Sequence, residues 1–230
     1  MSSQVTDPEL LHAIQWRLEG LRPDATGRLE RFKDMPGESG PPPRVVALDA
    51  HGMKRIYVAA GVDADAEARI RSLAFADVWA GHPELREALG LTPGESERNE
   101  YLTYTPGRRY PAGSDSLVQK LSSSDERLRH FSDGFFDSDY PAAFVVLEGD
   151  RVVAAAASSR EDERAAEATV FASPKHRRRG LAGHVAGAWL HDVQDRDLIP
   201  FYSHVADNAA SRELARSLGL TLRFRLATYP

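Results

Sequence analysis

The chain has no cysteine. That excludes disulfides, thiolate nucleophiles and cysteine-bound zinc or iron–sulfur centres, so a nucleophile must come from Ser, Thr, Lys, Asp, Glu, His or Tyr, or from a bound substrate. Long apolar runs are missing too, and nothing approaches the roughly 20 uninterrupted apolar residues of a membrane-spanning helix. The opening MSSQVTDPEL lacks the basic-then-apolar run of a secretory signal. A cytoplasmic location without membrane attachment is the expectation. Nor is positive charge in excess: Lys and Arg number 29 against 34 Asp and Glu, a net charge of −5. A surface devoted to a polyanion needs basic residues spread over one face. What remains is 230 residues, 42% hydrophobic and 27% charged, the composition of an ordinary globular protein with one large domain or two small ones.

Thr6 or Asp7 followed by Pro8 and Glu9 reads as a helix start, and Leu10, Ile14, Leu18 and Leu21 continue at helical spacing toward Gly20 and Pro23. A helix of about four turns is expected there. DMPGESGPPP, residues 34–43, is a breaker-rich linker. RVVALDA and RIYVAAG flank Asp49-Ala50-His51-Gly52 and predict a β-hairpin over 44–60. DADAEARIRSLAFADVWAG reads as a helix, PELREALGL as a second, and NEYLTYTP, residues 99–106, as a strand. PGRRYPAG then suggests a boundary, giving an N-terminal α/β lobe over 1–112 and a second domain over 113–230.

From Ser116 the rhythm becomes β, α, β, β, β, α, β, α, β. SLVQKL is a strand, Ser124-Asp125-Glu126-Arg127 opens a helix carrying Leu128 and Phe131, and AAFVVLEGDRVVAAAASS is two strands joined at Gly149-Asp150. EATVFAS, GLAGHVAGAWLHDV, PFYSHVA, NAASRELARSLG and LTLRFRLATY follow as strand, helix, strand, helix ending at Gly219, and strand. The class is mixed α/β, without an internal repeat.

One stretch carries chemistry. VFASPKHRRRGLAGHVAGAWL, residues 170–190, runs a strand through Pro174 and Arg177-Arg178-Arg179-Gly180 into a helix. A helix N-terminus presents unpaired N–H groups with partial positive charge, and Gly180, Ala182 and Gly183 let an anion approach that backbone. Arginines add fork-shaped, charge-assisted donors. The residues are consistent with a phosphate or pyrophosphate site, and equally with a basic turn whose arginines are solvated. Nucleic acid is disfavoured by the acidic balance and by the lack of aromatics interleaved with the cluster.

The run A-S-P-K-H-R-R-R-G-L-A, residues 172–182, resembles the V-x-P-x-x-[RQ]-x-x-G-x-[GA] signature of the GNAT acetyltransferase superfamily, with Ala172 where Val is usual. SLVQKLSSSDERLRHF resembles the family's opening strand and helix, the EGDR hairpin stands where its second and third strands meet, and DNAASRELARSLGL resembles the helix after its fifth strand. The resemblance spans residues 116–230. It implies a GNAT acyl-CoA N-acyltransferase fold in the C-terminal half, with the N-terminal lobe a degenerate lobe of similar topology as in two-lobed relatives. It also implies acetyl-CoA or another acyl-CoA as co-substrate and transfer to a small-molecule or peptide amine by direct attack in a ternary complex. Arg177, Arg178, Arg179, Gly180, Leu181, Ala182 and Gly183 would wrap the pyrophosphate. Val170 and Ala172 would offer backbone to the pantetheine arm beside two splayed strands, and Asn208 and Ser211 would contact the cofactor. Asn208 also reads as a helix cap.

Acyl transfer to an amine needs a base and a donor for the departing thiolate. Where many relatives carry a Tyr that protonates the sulfur, this chain has Ala215. Where they carry a catalytic Glu, it has Ala166, with Glu167 one place along. An offset of one turns a strand side chain to the other face unless a bulge intervenes. Glu167 and His204 are the candidate bases. Glu167 also reads as an exposed strand carboxylate and His204 as a structural histidine. Tyr202 and Tyr229 are candidate thiolate donors, and Ser203 lies on the face opposite His204. His184 and His191 lack a third metal ligand, and no metal is expected. Leu181, Val185 and Trp189 read as core. A CoA-binding protein with little turnover stays open because of Ala215. The N-terminal half is expected to cover one side of the acceptor cleft or to mediate homodimerisation.

Overall fold

In the computed structural model, which describes residues 7–33, 41–92, 98–111, 116–129, 131 and 142–230, Asp7 starts the first helix. Its carboxylate accepts from the N–H groups of Glu9 and Leu10 at 2.9 and 3.4 Å, and Pro8 occupies the first helical position, where no N–H is needed. Helix α1 (Pro8–Leu18) spans 11 residues, three turns rather than the four read from the sequence. Gly20 takes a φ of 71° and turns the chain into a two-stranded ribbon, β1 (Leu21–Pro23) and β2 (Leu29–Arg31). Strands of three residues leave no periodicity to read, and this pair was not expected. Of the linker read over 34–43, residues 34–40 lie outside the described residues.

The predicted hairpin is present as β3 (Val45–Ala50) and β4 (Met53–Val58), paired from Val45↔Val58 to Ala50↔Met53. His51 and Gly52 form its turn with φ of 47° and 96°, the doubly positive pair that matches the twist of the strands. The expected long helix beyond it is two. Leu73 is extended (φ −74°, ψ 147°) and separates α2 (Ala64–Ser72) from α3 (Phe75–Ala80); α4 (Pro83–Ala88) follows. Ile70, Val78 and Leu85, one from each helix, pack with Val45, Ala47, Val58 and Tyr229 in one core.

Contacts divide the described residues into two units, one of 104–203 with 209–221, the other of residues up to 103 with 204–208 and 222–230. The cut proposed at 112/113 falls outside the described residues. A single cut does not separate these units, because the last strand, β11 (Leu220–Tyr229), pairs antiparallel with β3 from Arg225↔Asp49 to Tyr229↔Val45. Backbone pairing across about 180 residues of sequence has no local signature.

In the other unit the order read from the sequence is observed: β6 (Val118–Ser122), α5 (Glu126–Arg129), β7 (Ala142–Glu148), β8 (Arg151–Glu161), β9 (Ala165–Ala172), α6 (Leu181–Asp195), β10 (Ile199–Val205) and α7 (Ala209–Ser217). The strands lie in the order β10-β9-β8-β7-β6. Neighbours pair antiparallel except β10 and β9, which run parallel. On one face Phe144, Ala154, Ala156 and Ala166 pack against Val185, Trp189 and Val193 of α6. On the other, Leu121, Leu128, Phe131 and Val145 gather with Ala155 and Ala157. Alanines at 154–157 are all buried, and their small side chains let both layers close on the sheet. Trp189 is core, as expected, and its indole N–H donates to the Ser158 hydroxyl at 3.0 Å, meeting the hydrogen-bonding demand of a buried indole.

Helix α1 also carries a buried imidazole. His12 is 3% exposed, with its ring 4.0 Å from that of Trp16 and near Tyr57 and Phe224. Burial, and next the Arg55 charge, lower its pKa from 6.5 to about 3. The folded chain therefore resists a proton that the unfolded chain accepts, and stability rises with pH between about 3 and 6.5, by up to about 1.4 kcal/mol per pH unit. In urea unfolding at pH 7.5 and 5.5, the acid loss of stability is expected to be smaller in His12→Leu than in the wild type. Equal losses would remove His12 from the account.

Candidate functional site

Strands β9 and β10 stay together for only three pairs. Ile199↔Ala165, Pro200↔Ala166 and Phe201↔Glu167 are in register, whereas β9 stays paired with β8 as far as Ala172↔Ala154. Beyond Glu167 the side of β9 facing β10 carries no ladder, so residues 168–172 present an unladdered strand edge. Val170 and Ala172, two of the predicted cofactor residues, lie on that edge, and both pack toward α6.

The chain then builds a loop. Pro174–His176 form one 3-10 turn, Arg177 is extended, and Arg178 and Gly180 take positive φ of 61° and 78°. Positive φ costs nothing at glycine and is uncommon at arginine. The turn is pinned from behind. His176 lies with Nδ1 2.7 Å from the Ser173 hydroxyl and Nε2 3.1 Å from a Glu148 carboxylate oxygen. The carboxylate only accepts, so Nε2 donates and a neutral ring's Nδ1 accepts from Ser173. No motif signalled this arrangement, because Glu148 comes from the β7–β8 hairpin, 28 residues away.

At the head of α6, Gly180 occupies the cap position and makes no side-chain cap hydrogen bond. The carbonyl of Gly180 accepts from the N–H of Gly183 at 2.9 Å. The N–H groups ahead of it, at Leu181 and Ala182, carry the partial positive charge of a helix start. A Cβ placed on Gly180 or Gly183 would meet nothing within 4 Å, so the space over this backbone is open. Arg177, Arg178, Arg179 and Gly180 are exposed, and Leu181, Ala182 and Gly183 are half-buried. Arg177 Nε donates to the Ala172 carbonyl at 3.4 Å, and Arg179 lies 3.9 Å from Glu148. The predicted loop residues are thus brought together around one open, cationic helix start. That arrangement suits a bound anion such as a phosphate.

The acid–base candidates separate. Ala166 faces α6, and Glu167 points to the opposite face. It is 4% exposed, not an exposed strand carboxylate, and Arg160 Nη1 reaches it at 2.6 Å. A register shift between Ser158 and Arg160 accounts for the pair. The bulge in β8 leaves Ser158 bonded to Trp189 on the α6 side while Arg160 turns to the other. His204 is buried near the end of β10, its Nδ1 2.8 Å from the Val205 carbonyl. Asn208 is exposed just before α7, its N–H bonded to the Val205 carbonyl at 3.0 Å.

Tyr229 is fully engaged elsewhere. Its hydroxyl donates to the Val78 carbonyl at 2.6 Å within the β3–β4 core, which makes it structural. Tyr202 is buried, and its hydroxyl shares a hydrogen bond with Ser211 of α7. Burial, ahead of the other influences, pushes its pKa up. Ala215 is buried in α7. His184 is exposed on α6, and His191 Nε2 lies 3.5 Å from Asp195 one turn away.

This topology, with a parallel pair that parts and a glycine-headed helix between its members, is an acyltransferase-type α/β fold. A GNAT-family protein from Novosphingobium aromaticivorans superposes with a TM-score of 0.51 at 22% identity, covering 58% of this chain and 64% of its own. The chain therefore spans less than two thirds of that relative's length. A GCN5-related N-acetyltransferase-like protein from Streptococcus suis aligns at a TM-score of 0.48 and 16% identity, over 82% of this chain and 85% of its own. A GCN5-related N-acetyltransferase from Sphaerobacter thermophilus aligns at 0.47 and 13%, over 87% and 78%. No curated protein matches. Residues 129–229 match the family model for GNAT acetyltransferases, and the chain carries a GNAT acetyltransferase domain there.

Removing one partner of a buried ion pair strands the other charge, at a cost of about 3 kcal/mol or more. Arg160→Met is expected to lower unfolding free energy by about that much, and Arg160→Met with Glu167→Gln to regain most of it. Urea denaturation of the two variants checks this, and equal stability of single and double variants would contradict it.

Proposed function

We propose that the chain is an N-acyltransferase that moves an acyl group, acetyl in the simplest case, from acyl-CoA to a primary amine. The observation that carries this is the loop of residues 173–180, with its three exposed arginines, feeding the uncapped start of α6 beside the edge of β9 that β10 leaves. In this reading Arg177, Arg178 and Arg179 and the N–H groups of Gly180, Leu181 and Ala182 bind the pyrophosphate, and Gly183 leaves room for its approach. Backbone at Val170 and Ala172 aligns the pantetheine arm, and Asn208 and Ser211 complete the cofactor contacts. The thioester enters where the two strands part, and the amine attacks it directly in a ternary complex, so no covalent enzyme intermediate is needed. Glu167 and His204 are the candidates for taking the amine's proton.

The acceptor is a small-molecule or peptide amine. The net charge of −5 argues against nucleic acid as partner. Use of acyl-CoA fits a cytoplasmic location, and no helix among the described residues is long and apolar enough to cross a membrane. A second reading, a CoA-binding protein with little turnover, is favoured by one observation: Ala215 offers no proton at the position where the family resemblance implies a tyrosine.

Arg177→Ala combined with Gly180→Glu removes a guanidinium and sets a carboxylate beside the phosphates. Calorimetry with acetyl-CoA is expected to show affinity lowered by about 10- to 100-fold, the worth of one or two charged hydrogen bonds, with an unchanged circular dichroism spectrum. Unchanged affinity would sink the site. Thiol release from acetyl-CoA against a panel of primary amines separates the two readings, and a chain without cysteine adds no thiol background.

A further inference from the structure

Trp189, Asp192 and Arg196 recur at helical spacing and share one side of the last turns of α6. Asp195 and Gln194, on another side, are taken by the segment that leaves β5 (Asn99–Pro106). Arg109 pairs with Asp195 at 2.6 Å, and Gln194 Oε1 accepts from the N–H of Tyr110 at 2.6 Å. The Trp189 side lies over the sheet instead.

Lys120 and Phe144 are register partners on β6 and β7, so both project to one face, the face on which Phe144 packs with Trp189. The Lys120 ammonium lies 5.2 Å from the centre of the Phe144 ring. Ala142, two residues along from Phe144, and Ser158 on β8 are small. Between them and the end of α6 a cavity of about 260 Å³ is left, walled by Phe144 and Trp189 and edged by Lys120, Asp192 and Arg196. An apolar cavity of about 150 Å³ takes benzene, so this one has room for a single ring and a small substituent.

Charge selects the substituent. Asp192 is the one carboxylate among the lining residues, and both its oxygens already accept, Oδ1 from Lys120 Nζ at 2.6 Å and Oδ2 from Arg196 Nε at 3.1 Å. Arg196 also donates to Glu161 from Nη1 and Nη2. An ammonium has three N–H groups and a guanidinium five. Lys120 spends one of its three and Arg196 three of its five, so each keeps two. A guest carboxylate meets unused donors, whereas a guest ammonium meets two cations and an acceptor already engaged.

We infer that this cavity is a second ligand site, built for a small monocarboxylate whose apolar body is about the size of one ring. The ring lies against Phe144 and Trp189, and the carboxylate bridges Lys120 and Arg196, which Asp192 and Glu161 hold in place. Asp192 stands 11 residues beyond Leu181 on α6, roughly 17 Å along the helix axis. The site is therefore separate from the arginine loop, and it does not depend on the acyltransferase reading.

Benzoate is the probe, titrated into the full chain at pH 7. The indole N–H of Trp189, bonded to Ser158, gives a nitrogen–proton NMR signal that is assigned through its proton contacts with Ser158. That signal is expected to shift saturably, with a dissociation constant on the order of 1 mM for a ligand this small. Benzamide, of the same shape without the charge, and benzylamine, of the opposite charge, are each expected to bind at least about tenfold more weakly. Lys120→Met keeps the stem over Phe144 and removes the ammonium. It is expected to weaken benzoate about tenfold, the worth of one charged hydrogen bond, and Arg196→Gln to do likewise. Saturating acetyl-CoA is expected to leave the benzoate affinity unchanged.

No saturable shift by about 20 mM benzoate, roughly 20 times the expected constant, overturns the site. Benzamide or benzylamine binding as tightly as benzoate overturns the carboxylate assignment, as does an affinity untouched in both variants. Displacement of benzoate by acetyl-CoA moves it to the arginine loop and overturns the proposal. Displacement by inorganic phosphate at equal concentration overturns it too, because an anion patch has no use for the ring. If one variant fails to fold, the other variant and the three ligands decide.

Discussion

Three pairs of residues hold β9 against β10, and the candidate site depends on their being no more than three. Had the ladder continued past Phe201↔Glu167, the backbone groups of residues 168–172 would be spent on β10 and no strand edge would face the loop. Had it been absent, nothing would fix the direction in which β9 delivers the chain to α6. The short ladder is anchored on both faces. Ala166 is small enough to lie under α6, while Glu167 is tied to Arg160 on the other side. A parallel pair anchored at one end and open at the other is a wedge, and the loop sits at its open end.

The loop is prepared rather than merely basic. Ser173, His176 and Glu148 lock the turn from the rear, Arg178 accepts a left-handed backbone, and Gly180 begins α6 with open space above it. Positive charge of two kinds converges there, the arginine side chains and the helix start. Exposure lets the arginines reach a ligand, and the hydrogen-bonded turn behind them limits the entropy lost when they do.

Much of this was legible because it is local. The hairpins read over 44–60 and 142–159, the helix read over 180–193 and the turn around Gly180 each announce themselves through alternation, helical spacing or glycine position, and each is observed with ends within two residues of that reading. The failures share a cause. The β1–β2 ribbon is too short for a period to register, the break at Leu73 is an ordinary residue in an extended conformation, and the partnership of β11 with β3 joins segments far apart in sequence. Glu167 was legible as an offset carboxylate, but its burial and its Arg160 partner depend on a bulge across the sheet that no residue type marks.

The sequence by itself determined the order of elements in the C-terminal half, the absence of cysteine chemistry and the arginine-glycine entrance to α6, because these follow from residue identity and near-neighbour spacing. Only the tertiary structure decided which face each candidate occupies. It put Glu167 in a buried ion pair with Arg160 and Tyr229 in a core. Facing depends on register, and register is settled by what packs on the far side of the sheet, where sequence distance carries no information.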